Sequence, residues 1–293
     1  MSKKNREEIE INLKEFNMNW ITGNKVIVFI GKRGTGKSKL VLDYLYHNQD
    51  IPFATCISPT DNFNLTFRRH IPSRFIFEEY SYELLEGFLN RQKNITRKKN
   101  LAIEGRGDIR YKDIDPRGVL IMDDCLADSE SWKDDKNLKW IFMNGRHANS
   151  TLVFTMQYQI GIHPSLRNNI DFIFICKENK IVEKKKLHQN FAGMFPTFDM
   201  FNQIFTQCTA DYGCMVIDNT TQSDEIESQV FWYRANLHDK FEICLPEFWI
   251  NNEDYFKDEL EVTKKDDDLK YGNKNKPKYN MSVNRRNEPN NQY

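Results

Sequence analysis

The chain has 293 residues, of which 39% are hydrophobic and 29% charged, and its formal net charge is zero. That length suits one large domain, and a neutral balance removes whole-chain charge as a ground for nucleic-acid binding. No run approaches the roughly 18 apolar residues of a membrane span, and the opening MSKKNREEIE lacks the apolar stretch of a secretion signal.

Residues 1–20 read as a charged lead-in with one amphipathic stretch from 9 to 20. The run KVIVFI (25–30) is short, β-branched and apolar throughout, as a strand buried on both faces of a parallel sheet would be. A glycine-rich turn follows, then residues 38–46 with apolar side chains at helical spacing. Strands are expected at 53–58 and 74–77, and a helix at 82–94 with Leu84, Leu85, Phe88 and Leu89 on one side. Residues 91–117 carry nine Lys or Arg against four acidic residues and read as a basic helix end and loop. Beyond it come a strand at 118–122, a helix at 138–144, and strands at 152–156 and 172–176. Helices are expected at 181–191 and 198–207, and the segments 214–217 and 230–233 read as a closing antiparallel pair.

Apolar strands alternating with helices predict an α/β fold, a mainly parallel central sheet flanked by helices. The domain spans residues 21–250. The tail, 260–293, is rich in Lys, Asn and Asp and too poor in apolar residues to offset its ordering entropy, so it is expected to be disordered. Six scattered cysteines without a CxxC read as buried thiols in a reducing compartment, not as zinc ligands or a disulfide framework.

Gly31-Lys32-Arg33-Gly34-Thr35-Gly36-Lys37-Ser38 matches the phosphate-loop pattern G-x-x-x-x-G-K-[ST] at every fixed position, between a strand and a helix as the motif requires. Glycines let consecutive N–H groups wrap phosphate oxygens, and the following helix adds the positive end of its dipole. Lys37 would reach the β- and γ-phosphates of ATP, and the Ser38 hydroxyl would ligate Mg²⁺. The strand ending in Asp123 and Asp124 reads as a Walker B element, its strand expected beside that of the phosphate loop. Asp123 would hold Mg²⁺ through its water shell. Asp124 stands where a carboxylate orients and deprotonates the attacking water, although it would also serve as a cap for the next element. Gln157, ending the strand at 152–156, suits a polar side chain that senses the γ-phosphate, or an ordinary strand-end hydrogen-bonding residue. Arg146 and then Arg167 are the candidates for an arginine presented by a neighbouring subunit, with a surface ion pair as the competing role for each. The basic stretch Arg91, Lys93, Arg97, Lys98, Lys99, Arg106, Arg110, Lys112 and Arg117 could contact nucleic-acid phosphates or form a solvated charged face.

Taken in order, GKRGTGKS, VLIMDDC, MNGRHANSTLVFTMQY and SLRNNIDFIFICKE resemble the poxvirus-type genome-packaging ATPases of nucleocytoplasmic large DNA viruses, members of the FtsK–HerA superfamily. The likeness spans about residues 21 to 249. It implies a RecA-like P-loop NTPase core of the additional-strand class, a homo-oligomeric ring, and ATP-driven translocation of double-stranded DNA into a capsid. It further implies a capsid or virion-membrane protein as partner and a place in the virion and the viral factory of the host cytoplasm. Within the same superfamily a helicase or chromosome pump has the same parts. A nucleoside kinase would share only the loop, and a nucleotide-dependent scaffold would bind without useful turnover.

Overall fold

The structure is a computed structural model that describes residues 11–125, 132, 134–157, 162–250 and 252. The expected disordered tail and the first ten residues of the lead-in lie outside the described residues.

The elements run β1 (Val26–Ile30), α1 (Lys37–Tyr46), β2 (Ala54–Ile57), α2 (Asp61–Asn64), β3 (Ile76–Phe77), α3 (Tyr82–Ile103), β4 (Gly118–Met122), α4 (Lys136–Asn144), β5 (Ser150–Met156), α5 (Pro164–Arg167), β6 (Phe172–Cys176), α6 (Ile181–Phe191), α7 (Phe198–Cys208), β7 (Cys214–Asp218), α8 (Ile226–Gln229) and β8 (Val230–Tyr233). The strands form a single eight-stranded sheet in the order β3-β2-β4-β5-β1-β6-β7-β8. The first four pairings and β1 with β6 are parallel, whereas β6–β7 and β7–β8 are antiparallel. The additional-strand P-loop architecture is therefore present. One expectation is corrected: β4 does not lie beside β1, because β5 pairs with both and stands between them.

The strands are buried from both sides because each face of the sheet carries its own apolar layer. Val26, Val28 and Ile30 of β1 point into a layer with Leu85, Phe88 and Leu89 of α3 and Phe201 and Phe205 of α7. Ile27 and Phe29 point the other way, onto Leu40, Val41, Tyr44 and Leu45 of α1. This period-two division explains why the sequence of β1 shows no polar alternation.

The helix expected at 82–94 continues to Ile103. Its start is fixed by Ser81, whose hydroxyl accepts from the Leu84 N–H. Its extension is polar, which hid it from a search for apolar spacing. Near the end of the expected span Arg91 is stacked over the Phe53 ring at 3.7 Å and Lys93 over Trp140 at 4.1 Å, and within the extension Lys98 lies over Tyr111 at 4.7 Å, so cation–π contacts replace apolar side chains. Gln92, fully buried, donates to the carbonyls of Pro116, Ala148 and Asn149 and so joins α3 to the amino ends of β4 and β5.

The described part of the amphipathic lead-in does not form an α-helix. Glu15 bridges to Trp232 of β8, the Phe16 N–H bonds to the Trp232 carbonyl and the Trp232 N–H to the Lys14 carbonyl, and a 3-10 turn follows at Met18–Trp20. All six thiols are free, and every cysteine except Cys244 is buried. No helix among the described residues is long and apolar enough to cross a membrane.

Candidate active site

The parallel register brings the sequence-predicted residues to one end of the sheet. Ile30 is level with Met156, Met122 with Phe154, and Ile57 with Met122. The residues that leave these strands, Gly31, Ser58, Asp123 and Gln157, therefore sit together at the carboxyl edge, where open α/β sheets place their ligands.

The loop is built by backbone constraint. Gly34 and Gly36 have φ of 77° and 95°, conformations that side chains disfavour. Gly31 is required for a different reason: a Cβ there would lie 2.6 Å from Thr35 Oγ1 and 2.7 Å from the Cys176 Cβ. Thr35 Oγ1 donates to the Lys32 carbonyl at 2.7 Å, tightening the turn. Gly36 precedes α1 without a side-chain cap, so the first turn keeps its positive end for an anion. Lys37 is 8% exposed and its Nζ donates to the carbonyls of Gly31 at 2.7 Å and Lys32 at 3.0 Å. Burial pulls its ammonium below the usual lysine range, and the charge of Asp124 opposes this. Lys32 pairs with Glu178 at 2.5 Å. Burial pushes the Glu178 carboxyl up, but bonds from Lys32 and the Lys180 N–H outweigh it and leave the carboxyl below its ordinary value.

Asp123 is 5% exposed. Its Oδ1 accepts from Thr155 Oγ1 at 2.8 Å and its Oδ2 from Ser58 Oγ at 3.3 Å. Burial raises its proton affinity, with the neighbouring Asp124 charge adding to the effect against the Thr155 bond. Asp124 occupies the left-handed region, φ 53°, and its N–H donates to the Thr155 hydroxyl at 2.9 Å. Gln157 Nε2 lies 2.7 Å from both Asp124 carboxylate oxygens. Thr155 and Gln157, neighbours across one residue of β5, thus hold both carboxylates at the end of β4.

These groups open onto a cleft of about 560 Å³ lined by Arg33, Lys37, Ser38, Asp123 and Asp124 and, from the far side, Tyr212, Arg234 and Leu237. Its size is that of an ordinary small-ligand site. Gln157 is not part of this lining; it stands behind Asp124, beside Gly31, Cys176 and Glu178. A hydroxyl at Ser38 and a buried carboxylate at Asp123 share the cleft, an oxygen donor set suited to a hard divalent ion.

The two arginines lie elsewhere. Arg146 is exposed on the turn that leads into β5, so the whole seven-residue strand separates it from its own phosphate loop. Arg167 donates to the Ile162 carbonyl and to Asn190 Oδ1 and packs over Phe191, which engages its guanidinium within the chain. The basic segment is also largely engaged. Lys98 reaches Tyr111, Arg106 pairs with Glu104, Arg110 with Asp108, and Arg117 with Asp115 and Asp50.

Sequence reading missed Thr155, Ser58 and the far wall of the cleft. A threonine inside the apolar run of β5 was the available signal for the first. Arg234 directly follows β8, but only the antiparallel return of that strand beside β7 reveals which end of the sheet it reaches.

No family model matches the chain. An uncharacterized protein of Acanthamoeba polyphaga mimivirus is 38% identical over 282 residues, 94% of this chain and 97% of the relative. An uncharacterized protein of Invertebrate iridescent virus 3 is 34% identical over 214 residues, 73% of this chain and 76% of the relative. The chain belongs to this family of large-DNA-virus proteins. Among solved structures, the pCW3 conjugation coupling protein TcpA, a monomer form with ATPγS, superposes with a TM-score of 0.51 at 10% identity, over 85% of this chain and 66% of that one. That likeness is one of fold. The genome packaging NTPase B204 from Sulfolobus turreted icosahedral virus 2, in complex with AMPPCP, gives a TM-score of 0.48 at 13% identity over 74% of this chain and all of that one. By its sheet order and phosphate loop, the family member described here carries a P-loop NTPase fold with both acidic residues beside that loop.

Proposed function

We propose that this viral family member is an ATP-driven motor that moves double-stranded DNA into a capsid, hydrolysing ATP with Mg²⁺. The observation that carries the hydrolytic part is the placement of Asp124 at the phosphate cleft with its carboxylate fixed from behind by Gln157. A carboxylate held there is placed to orient an attacking water and take its proton.

In this reading the N–H groups of residues 31–38 and the Lys37 ammonium cradle the phosphates, Lys37 leaving the loop carbonyls for them. Ser38 and Asp123 hold Mg²⁺, which when bound neutralises phosphate charge and fixes the chain's reacting geometry. Asp124 orients the attacking water and accepts its proton. Gln157 positions Asp124, and through it reads the state of the γ-phosphate. An arginine from a neighbouring subunit completes the site in a ring; Arg146, exposed and far from its own loop, suits that role better than Arg167. DNA as the load rests on the sequence resemblance and on the viral relatives. The same support favours action in the virion and viral factory beside a capsid or virion-membrane partner.

The test is ATP hydrolysis by the purified chain with and without long double-stranded DNA. Stimulation by DNA that Lys37→Ala removes is expected. Phosphate transfer to a small acceptor, indifferent to DNA, would overturn the motor.

A further inference from the structure

The helix that follows the phosphate loop carries a second constellation one turn beyond it. Asp43 of α1 has no exposed surface. Its Oδ2 accepts from the Tyr233 hydroxyl at 2.6 Å and the Asn236 N–H at 3.0 Å. Its Oδ1 faces two imidazoles, His238 Nε2 at 2.6 Å and His47 Nε2 at 3.6 Å. Asp43 and His47 share a helix face at i and i+4, while His238 comes from the segment after β8. One oxygen and two nitrogens lie within 4.8 Å of one another.

Both rings are held from behind. His47 Nδ1 lies 3.1 Å from Asn19 Oδ1, an acceptor, and this contact turns Nε2 toward the Asp43 carboxylate. His238 is stacked on Tyr46 with ring centroids 3.6 Å apart and planes 8° from parallel, which fixes its direction. An outer hydrogen bond that sets the tautomer of a ligating histidine is the usual support of a metal site.

We infer that Asp43, His47 and His238 form a site for a divalent transition ion of the zinc class, one carboxylate and two imidazoles with water completing the coordination. The donor set is softer than the oxygen pair of Ser38 and Asp123 and belongs to a different class of ion. On binding, His238 gives the Nε2 lone pair to the metal with one proton kept on Nδ1, and any second proton leaves to solvent. The ion would fasten the segment that carries Arg234 and Leu237 into the nucleotide cleft to the helix that carries Lys37 and Ser38. The site is independent of whether the chain hydrolyses ATP.

The test uses the full chain, stripped with chelator and titrated with Zn²⁺ in the absence of nucleotide, by calorimetry and by melting temperature. A single equivalent is expected to bind and to raise the melting temperature. Asn19→Ala should weaken binding by about 10–100-fold. His47→Gln, at a partly exposed position where folding should be spared, should abolish the zinc-dependent rise in melting temperature, as should His238→Ala. His147→Ala and His163→Ala, outside the cluster, should leave binding as it was. No uptake by the parent chain, or uptake undiminished in the double variant of His47 and His238, overturns the site; the second result would assign the ion to the phosphate cleft instead.

Discussion

The two ends of the sheet treat charge in opposite ways. At the amino end, around residues 104–117, most acids have a base: Arg106 with Glu104, Arg110 with Asp108, and Arg117 with Asp115 and Asp50. Pairing there lowers the Asp108 carboxyl through its bonds from Arg110; at Asp115, burial opposes the Arg117 bonds but is outweighed. At the carboxyl end, burial dominates and raises Asp123, while Lys37 is pulled down. The amino end is charge-rich and largely satisfied; at the carboxyl end Lys32 and Glu178 pair, but Asp123 and Lys37 are buried where their charged forms are disfavoured. Displaced proton affinities of this kind mark a site prepared for a ligand, whereas a count of basic residues marks nothing by itself.

The strongest way to break this contrast is at Lys37 and Asp124. Lys37→Ala should abolish measurable ATP hydrolysis. Asp124→Asn should lower turnover by about 10²–10⁴-fold while fluorescent-nucleotide binding is retained. Turnover kept in Asp124→Asn would mean that another group orients the water. Gly31→Ala comes next: with Thr35 and Cys176 in the way, it should cost about 1–3 kcal/mol in chemical denaturation and weaken nucleotide binding as well. Asp123→Asn should remove hydrolysis yet raise the melting temperature at neutral pH, at about 2–4 °C per kcal/mol for a chain this long. The sign follows from the raised proton affinity: the folded state pays for the ionised carboxyl above that group's folded pKa. The gain should therefore shrink as pH falls through that value, which scans at several pH values would show. The smallest effect belongs to the satisfied end, where Arg106→Ala with Arg110→Ala should leave melting and ATP hydrolysis unaltered. A loss of DNA-stimulated turnover in that double variant would show that the pairs open onto a ligand after all.

Most strands were legible because each is a short β-branched run closed by a polar or glycine residue, and the phosphate loop was legible because its chemistry tolerates little variation. What stayed hidden depends on pairing across the sheet. That β5 separates β4 from β1 is a fact of strand order, and strand order leaves no local trace in an apolar run. The last turns of α3 were hidden because their side chains are mostly polar, and Lys98 there packs over the Tyr111 ring instead of filling an apolar stripe. Gln157 was visible as a strand-end amide, but its attachment to Asp124 rather than to the cleft required the register of β4 on β5.

The lead-in strip along β8 also bears on how copies of this chain can meet. An outermost strand with bare N–H and C=O groups invites a second molecule to continue the sheet. Here one margin is occupied by the backbone of residues 14–16, and the other, β3, is only two residues long. Neither margin offers a template, so subunits that assemble must touch through side chains of helices and loops. Such contacts can loosen and re-form with each nucleotide cycle, as a shared run of main-chain hydrogen bonds could not.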